Sequence, residues 1–249
     1  MNTLVEYLKK NPWRAVISAI VIGLAIKLVS TILSKISIDA VEPFWEMSFY
    51  IKNAIYKLYM LILSVTTILL VNKGNLNGYG FNRAQNIKYP IVTLKVIGIT
   101  FASMIFGGIL FMGILNNTFP TGNSTAFPEH RSIPEMILTV WIWSSLCEEV
   151  FVRGFFQGFI QQWKHLKFLK LSLPVILSGL AFGAMHLSLL KAGMGMWFVA
   201  FIVFNTTIIG LLAAYYREKT DSIIPAFWVH FIANVVGASP LIIKSIIGV

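Results

Sequence analysis

Long apolar runs constrain this chain more than any other feature of its sequence. A transmembrane helix needs about 20 mostly apolar residues, and seven runs meet or approach that length. The predicted spans are residues 15–34, 49–71, 91–115, 136–160, 171–190, 196–216 and 223–238. Residues 241–249 follow a Gly-Ala-Ser-Pro break and would extend only about 14 Å as a helix, which indicates half a span or an interfacial helix. We predict an all-α fold, a polytopic transmembrane helix bundle with seven spans and room for a short eighth helix.

The composition also favours lipid as the solvent. The chain is 57% apolar and 12% charged, whereas soluble domains average about 45–50% apolar and about 25% charged. The single cysteine, Cys147, excludes a secreted disulfide scaffold. Because the segments between the runs are too short for a soluble domain, we predict one integral membrane domain over residues 1–249, embedded in a lipid bilayer.

The charges between the runs alternate in sign, which indicates the orientation, because Lys and Arg collect in cytoplasmic loops. Basic residues precede the first run and follow the second, fourth and sixth: Lys9, Lys10, Arg14, Lys73, Arg83, Lys88, Lys95, Lys164, Lys167, Lys170, Arg217 and Lys219. Acidic residues follow the first and third: Asp39, Glu42, Glu46, Glu129 and Glu135. We expect a cytoplasmic N-terminus and, from the Lys- and Ile-rich composition, a bacterial cell membrane. The pattern explains the net charge of +10 without a nucleic-acid partner.

Ionisable residues inside the runs are the next constraint, because a charge at the bilayer centre costs about 2.5–3.5 kcal/mol on insertion scales. Lys27, Lys52 and Lys57 lie in the first two runs. Long lysine side chains can extend to the membrane interface or contact a neighbouring helix. We therefore interpret these three lysines as structural.

The fourth run carries Glu148, Glu149 and Arg153 near its middle. Glu149 and Arg153 are four residues apart with the acid first, which is the favourable order for an ion pair on one helix face. Glu148 points about 100° away around the helix, and the residue four positions after it is Val152. The partners of Glu148 must therefore come from other helices.

Two later runs contain histidines that could be those partners. Phe182 and His186 are four residues apart in the fifth run, and so are His230 and Asn234 in the seventh, so each pair shares a helix face. Counted from the predicted ends of the runs, Glu148, His186 and His230 would lie about 18, 22 and 12 Å from the cytoplasmic face. We predict that they share one cavity in the cytoplasmic half of the bilayer.

The same residues carry a family resemblance. The three patterns are Glu148-Glu149-x3-Arg153, Phe182-x3-His186 and His230-x3-Asn234. In this order they resemble the EExxxR, FxxxH and HxxxN motifs of the CPBP family of intramembrane proteases, which includes the Rce1-like CAAX prenyl endopeptidases and bacteriocin-processing relatives. The resemblance covers residues 133–236, within the predicted single domain.

The resemblance implies glutamate-dependent hydrolysis of a peptide bond within the membrane. Carried over to this sequence, Glu148 is the catalytic base and His186 helps to hold the attacking water. His230 and Asn234 would stabilise the oxyanion. A carboxylate in a poorly solvated cavity is a good general base near neutral pH, and donors aimed at the developing oxyanion in a water-poor site each contribute substantially to the rate.

Three further motif residues would have supporting roles. Glu149 and Arg153 would form the pair that fixes the fourth helix, and Phe182 belongs to the motif of His186. The resemblance implies neither a cofactor nor a metal ligand. A cavity open to the cytoplasm predicts a membrane-associated peptide or protein C-terminus as the substrate, and a bacterial origin favours a peptide precursor over a prenylated tail.

Two alternatives remain open at this stage. Glu148, His186 and His230 have the ligand types of a catalytic zinc site, which would make the chain an intramembrane metalloprotease. A non-catalytic protein of the same fold, such as a bacteriocin immunity or partner-binding factor, would keep the helices without turnover. Cys147 precedes Glu148 but points about 100° away from it, so we interpret it as a small apolar residue.

Overall fold

The computed structural model describes residues 2–121 and 133–239, and this part of the chain is almost entirely helical. The helices are α1 (Asn2–Lys9), α2 (Pro12–Val41), α3 (Phe49–Val71), α4 (Tyr89–Thr118), α5 (residues 133–163), α6 (Leu173–Leu190), α7 (Met196–Thr220) and α8 (Ile223–Gly237). A short antiparallel hairpin of β1 (Lys167–Phe168) and β2 (Leu171–Ser172) joins α5 to α6. The predicted all-α class is confirmed, whereas residues 241–249 and Glu129 lie outside the described residues.

The helices begin at residues whose side chains cap the first turn. Asn11, Ser48, Ser172 and Ser222 precede α2, α3, α6 and α8, and each accepts a hydrogen bond from a backbone N–H of the helix it precedes. Such caps satisfy N–H groups that have no partner within the helix. Between α7 and α8, Asp221 adopts a left-handed conformation with φ +48°. The chain therefore turns there within two residues, and α8 packs back against α7.

Five helices of the described residues are long and apolar enough to cross a membrane: α2, α3, α4, α6 and α7. The chain is thus an integral membrane protein of helical type. The predicted number of seven spans is not confirmed by length and composition. The fourth predicted span, in α5, contains Glu148, Glu149 and Arg153, and α8 is only 15 residues long.

Helix α5 lies at the centre of the packing, in contact with α3, α6 and α8. One apolar core joins residues of α2, α3, α5 and α6, and a second joins residues of α4, α7 and α8. Two π-helical stretches of α5, Ile137–Ser144 and Val150–Phe156, flank the α-helical turn Ser145–Glu149. Departures of this kind from α-helical geometry often occur at functional sites. Here they bracket the two glutamates.

Helices α6 and α7 approach each other closely where both carry small residues. A Cβ atom at Gly183 would lie 1.9 Å from Oγ1 of Thr207, and one at Gly210 would lie 3.0 Å from the carbonyl oxygen of Gly179. Small residues let membrane helices approach to backbone distance. This contact holds α6, and with it the predicted site residues Phe182 and His186, against α7.

The loop between α3 and α4 is fastened to the junction of α7 and α8. The backbone N–H of Ile223 donates to the carbonyl of Gly80 at 2.8 Å, and Nη2 of Arg217 donates to the carbonyl of Gly78 at 2.7 Å. In the same loop, burial raises the pKa of Tyr79 to about 12, although Arg217 acts in the opposite direction. The phenol is therefore neutral at physiological pH.

Several charges predicted to lie between spans are instead on helices. Asp39 is in the last turn of α2, Glu135 is in the first turn of α5, and Arg217 and Lys219 are in the last turn of α7. Arg217 is fully buried because it binds the α3–α4 loop. It therefore has a structural role, and the charge pattern depends on one cation fewer than the sequence indicated.

Candidate active site

Glu148 is the centre of the candidate site, and its side chain is almost completely buried. Its Oε1 accepts hydrogen bonds from Nζ of Lys57 on α3 at 2.5 Å and from the hydroxyl of Ser144 at 3.1 Å. Its Oε2 lies 3.8 Å from Nε2 of His230 on α8. The cation and the imidazole come from other helices, as the isolated position of Glu148 predicted.

Lys57 takes the second of the two alternatives that we gave for lysines inside the runs. It does not extend to the interface but contacts a neighbouring helix, where it is buried and forms an ion pair with Glu148. Lys52, one and a half turns earlier on α3, behaves differently because its side chain is 37% exposed and pairs with the exposed Glu42. The available signal was a lysine near the middle of an apolar run, although no pattern in the sequence linked it to Glu148.

Glu149 and Arg153 form the ion pair that their spacing predicted. Nη1 of Arg153 donates to Oε1 of Glu149 at 3.0 Å, and both side chains are fully buried. Nη2 of Arg153 donates to the carbonyl of Gly210 on α7 at 2.9 Å, and the guanidinium carbon lies 4.4 Å from the ring centre of Phe182 on α6. The pair therefore fixes α5 to two neighbouring helices.

His230 lies between the two carboxylates. Its Nδ1 is 3.0 Å from Oε1 of Glu149, and its Nε2 faces Glu148. Because Glu149 is paired with Arg153, it is an ionised acceptor, so Nδ1 of His230 is the donor in this bond. In a neutral ring Nε2 is then an acceptor, and only the doubly protonated ring offers an N–H at Nε2.

His186 lies at the end of the α-helical part of α6, where the chain continues as a 3-10 helix. Its Nδ1 is 3.0 Å from the carbonyl oxygen of Phe182, which can only accept, so Nδ1 is the donor and Nε2 of the neutral ring is the acceptor. His186 is close enough to Glu148 for an electrostatic interaction. The ring of Phe182 contacts both imidazoles edge to face, with centroid distances of 5.3 Å to His186 and 5.0 Å to His230.

Asn234 lies one turn further along α8 than His230. Its Nδ2 donates to the hydroxyl of Ser145 at 2.9 Å, so it contacts α5 one turn before Glu149. The structure thus brings together Glu148, Glu149, Arg153 and His230 by direct contacts, adds His186 through Phe182, and holds Asn234 at the adjacent serine. The site residues that sequence reasoning missed are Lys57, Ser144 and Ser145.

The zinc alternative receives no geometric support. Within residues 2–121 and 133–239, no group of three or more His, Cys, Asp or Glu side chains lies close enough together to hold a metal ion. Glu148, His186 and His230 have suitable donor atoms, but Oε1 of Glu148 is bound to Lys57. This arrangement does not fit a zinc site.

Comparison with known proteins supports the resemblance stated above. Residues 131–236 match a family model described as type II CAAX prenyl endopeptidase Rce1-like. No curated protein and no solved structure matches the chain. The matched segment contains all of α5, α6 and α7 and nearly all of α8, whereas α2, α3 and α4 lie outside it. The match supports protease activity in general and confirms the predicted family resemblance over that segment.

Proposed function

We propose that this chain, with its Rce1-like segment, is a glutamate-dependent intramembrane endopeptidase that cleaves a membrane-associated peptide or protein C-terminus from the cytoplasmic side. One observation carries the proposal. A buried carboxylate of α5, Glu148, faces an imidazole of α8, His230, at 3.8 Å inside the segment that matches an endopeptidase family. Neither side chain contributes to an apolar core, so the cost of burying both indicates a functional role.

In the proposed reaction Glu148 acts as the general base. A water molecule beside Oε2 of Glu148 gives that oxygen a proton while its own oxygen attacks the carbonyl carbon of the scissile peptide bond. The neutral His186 ring can accept a hydrogen bond at Nε2 and so align the same water. When the tetrahedral intermediate collapses, the C–N bond breaks, and Glu148 returns the proton to the leaving amine.

We assign stabilisation of the oxyanion to His230 and Asn234. Because Nδ1 of His230 is bound to Glu149, the ring can donate from Nε2 only when it is doubly protonated. Asn234 would exchange its bond to Ser145 for one to the oxyanion. Loss of one such donor typically costs about 10²–10³ in rate.

Glu149, Arg153 and Phe182 have supporting roles in this proposal. Arg153 neutralises Glu149, and Glu149 in turn fixes the Nδ1 side of His230. Phe182 packs against both imidazoles and against the guanidinium of Arg153. These contacts orient the reacting groups, and precise placement of such groups contributes substantially to the rate.

We further propose that residues 1–249 form a single integral membrane domain with seven spans, α2 to α8. The charges of α5 are paired inside the protein, which lowers the cost of placing them in the bilayer. Helix α8 is about 22 Å long, and a bilayer can thin locally around a short span. With a cytoplasmic N-terminus in a bacterial membrane, the loop between α5 and α6 would lie on the cytoplasmic side, from which the substrate would approach Glu148.

The experiment that tests this function is direct. Purified protein in lipid nanodiscs is incubated with candidate membrane peptides, and mass spectrometry maps any cuts, with Glu148→Ala as the control. We favour peptide precursors without a prenyl group as substrates. Defined cuts that disappear in the variant support an endopeptidase, whereas cuts that persist in the variant contradict it.

The zinc mechanism makes a separate prediction. We expect EDTA and 1,10-phenanthroline to leave the cleavage rate unchanged, because the arrangement of Glu148, His186 and His230 does not fit a metal site. The rate is measured before and after overnight dialysis against each chelator. A loss of activity that added Zn²⁺ restores would contradict the proposed mechanism and favour a metalloprotease.

Cys147 provides a further prediction. It precedes Glu148 in the sequence, and its thiol is fully buried. We expect Cys147→Ser to retain wild-type kcat and KM because serine has nearly the same volume. Cleavage and thermal unfolding of the variant are measured in the same detergent. A variant that is stable but inactive would indicate thiol chemistry instead.

A non-catalytic role is the second candidate, favoured by the close ion pair that occupies one oxygen of Glu148. In that case the chain would act as an immunity or partner-binding factor. If Glu148→Ala and His186→Ala each still confer the cellular phenotype of the wild-type protein, the binding role is favoured. If both variants are stably expressed and neither confers that phenotype, the enzyme is favoured.

A further inference from the structure

We infer that Lys57 is a positioning residue of the proposed hydrolysis, in that it holds Oε1 of Glu148 and directs Oε2 toward the reacting water. The inference rests on the proposed function. It extends the site to a helix that lies outside the matched segment of residues 131–236. Helix α3 thereby contributes to the chemistry as well as to the fold.

The two oxygens of Glu148 have different surroundings. Oε1 accepts from Lys57 at 2.5 Å and from Ser144 at 3.1 Å. Oε2 faces Nε2 of His230 at 3.8 Å, which is too long for a hydrogen bond. The occupied oxygen is therefore anchored, and the other is the one that can take a proton from water.

The contact between Lys57 and Glu148 is buried among other helices. The lysine is 8% exposed on a helix that packs directly against α5. The titratable side chains around the pair include Lys27 on α2, His186 on α6 and His230 on α8, all near enough to interact with Glu148. In a membrane interior an unpaired carboxylate is costly, so the lysine also stabilises the ionised form that a base requires.

The charge of Lys57 and its ability to donate to Oε1 can be tested separately by substitution. An arginine at position 57 keeps a cation that can donate to Oε1, a glutamine keeps a donor without charge, and a methionine keeps only the volume. If Lys57 acts by positioning a charged base, activity should follow the order Lys, Arg, Gln, Met. A lysine needed only for packing would be replaced well by methionine.

The first experiment tests the contact without any substrate. Thermal unfolding in detergent is measured for wild type, Lys57→Met, Glu148→Met and the double variant. We expect the sum of the two single decreases in the unfolding midpoint to exceed the decrease in the double variant, because each single change removes one partner of the pair and leaves the other unpaired. Additive changes would show that the two side chains do not interact and would overturn the inference.

The second experiment tests the role. We expect Lys57→Met to lower kcat by about 10²-fold, the usual cost of misplacing a reacting group by about 1 Å, with little change in KM. Lys57→Arg should recover most of kcat, and Lys57→Gln should fall between the two. The matched control is Lys52→Met, a lysine of the same helix that pairs away from the site, and it should behave as wild type.

The outcomes separate this inference from the proposed function. If wild type cleaves and Glu148→Gln does not, but Lys57→Met cleaves at the wild-type rate, the positioning role is wrong and the endopeptidase remains. If Lys57→Met cleaves faster than wild type, the ion pair inhibits the base and the positioning role is wrong. If Lys57→Met does not fold, Lys57→Gln and Lys57→Arg still decide, since equal kcat in the two would contradict a role for the charge. If wild type shows no cleavage that depends on Glu148, the proposed function fails and the positioning role fails with it.

Discussion

Replacing Glu148 by glutamine is expected to remove peptide cleavage almost completely, with kcat/KM lower by about 10²–10⁴-fold, the usual contribution of a positioned general base. The amide oxygen of glutamine can take the place of Oε1 and still accept from Lys57 and Ser144. The substitution therefore removes the base without removing those two contacts. Initial rates are measured on a mapped peptide substrate, alongside thermal unfolding.

A matched control for this prediction lies on the same helix. Glu135, in the first turn of α5, accepts a hydrogen bond from the side chain of Ser48. Glu135→Gln should retain the wild-type rate, because the residue is three turns away from Glu148. Wild-type cleavage in a folded Glu148→Gln variant would refute the glutamate mechanism and would show that a different residue of the site acts as the base.

Replacing Arg153 by methionine is expected to destabilise the protein by about 3–5 kcal/mol, the usual cost of removing one partner from a buried ion pair. The change leaves Glu149 buried without its cation and frees the carbonyl of Gly210. It also removes the guanidinium from the face of Phe182. We expect a lower unfolding midpoint in detergent and loss of cleavage, because Glu149 no longer fixes His230.

Two further variants show whether the loss arises from the unpaired charge. In Glu149→Gln/Arg153→Met both members of the pair are neutral, and the double variant should recover part of the stability that Arg153→Met loses. Arg83→Met, in the exposed part of the loop between α3 and α4, should unfold as wild type does. An Arg153→Met midpoint equal to that of wild type would show that the pair does not stabilise the fold.

Helix existence was the most predictable feature. The seven apolar runs correspond to α2 through α8, because an apolar run of this length has few alternatives in lipid. The ends were less well predicted: the first run extends from the predicted residues 15–34 to Pro12–Val41. Capping by Asn11 sets the beginning of that helix. The end extends because Ser37 and Asp39, which are polar, still continue the helical turns.

The candidate site was predictable in part. Spacing alone placed Glu149 beside Arg153, since residues four apart on a helix must be neighbours. The isolation of Glu148 predicted partners from other helices. Lys57 and His230 are such partners, but Ser144 of the same helix also donates to Glu148. The sequence could not identify Lys57 as one of them, because a lysine in an apolar run has several ways to satisfy its charge. Which way applies depends on the helix that lies opposite.

The sequence by itself determined the solvent, the helices and the order of the three motifs, because hydropathy and spacing along one helix are properties of neighbouring residues. Only the tertiary structure decided that α3 and α8 face α5 at Glu148, so that Lys57 binds one carboxylate oxygen and His230 faces the other. It also decided that Asn234 donates a hydrogen bond to Ser145. Contacts between helices depend on how side chains of distant segments interlock, and that geometry is not encoded in any single segment.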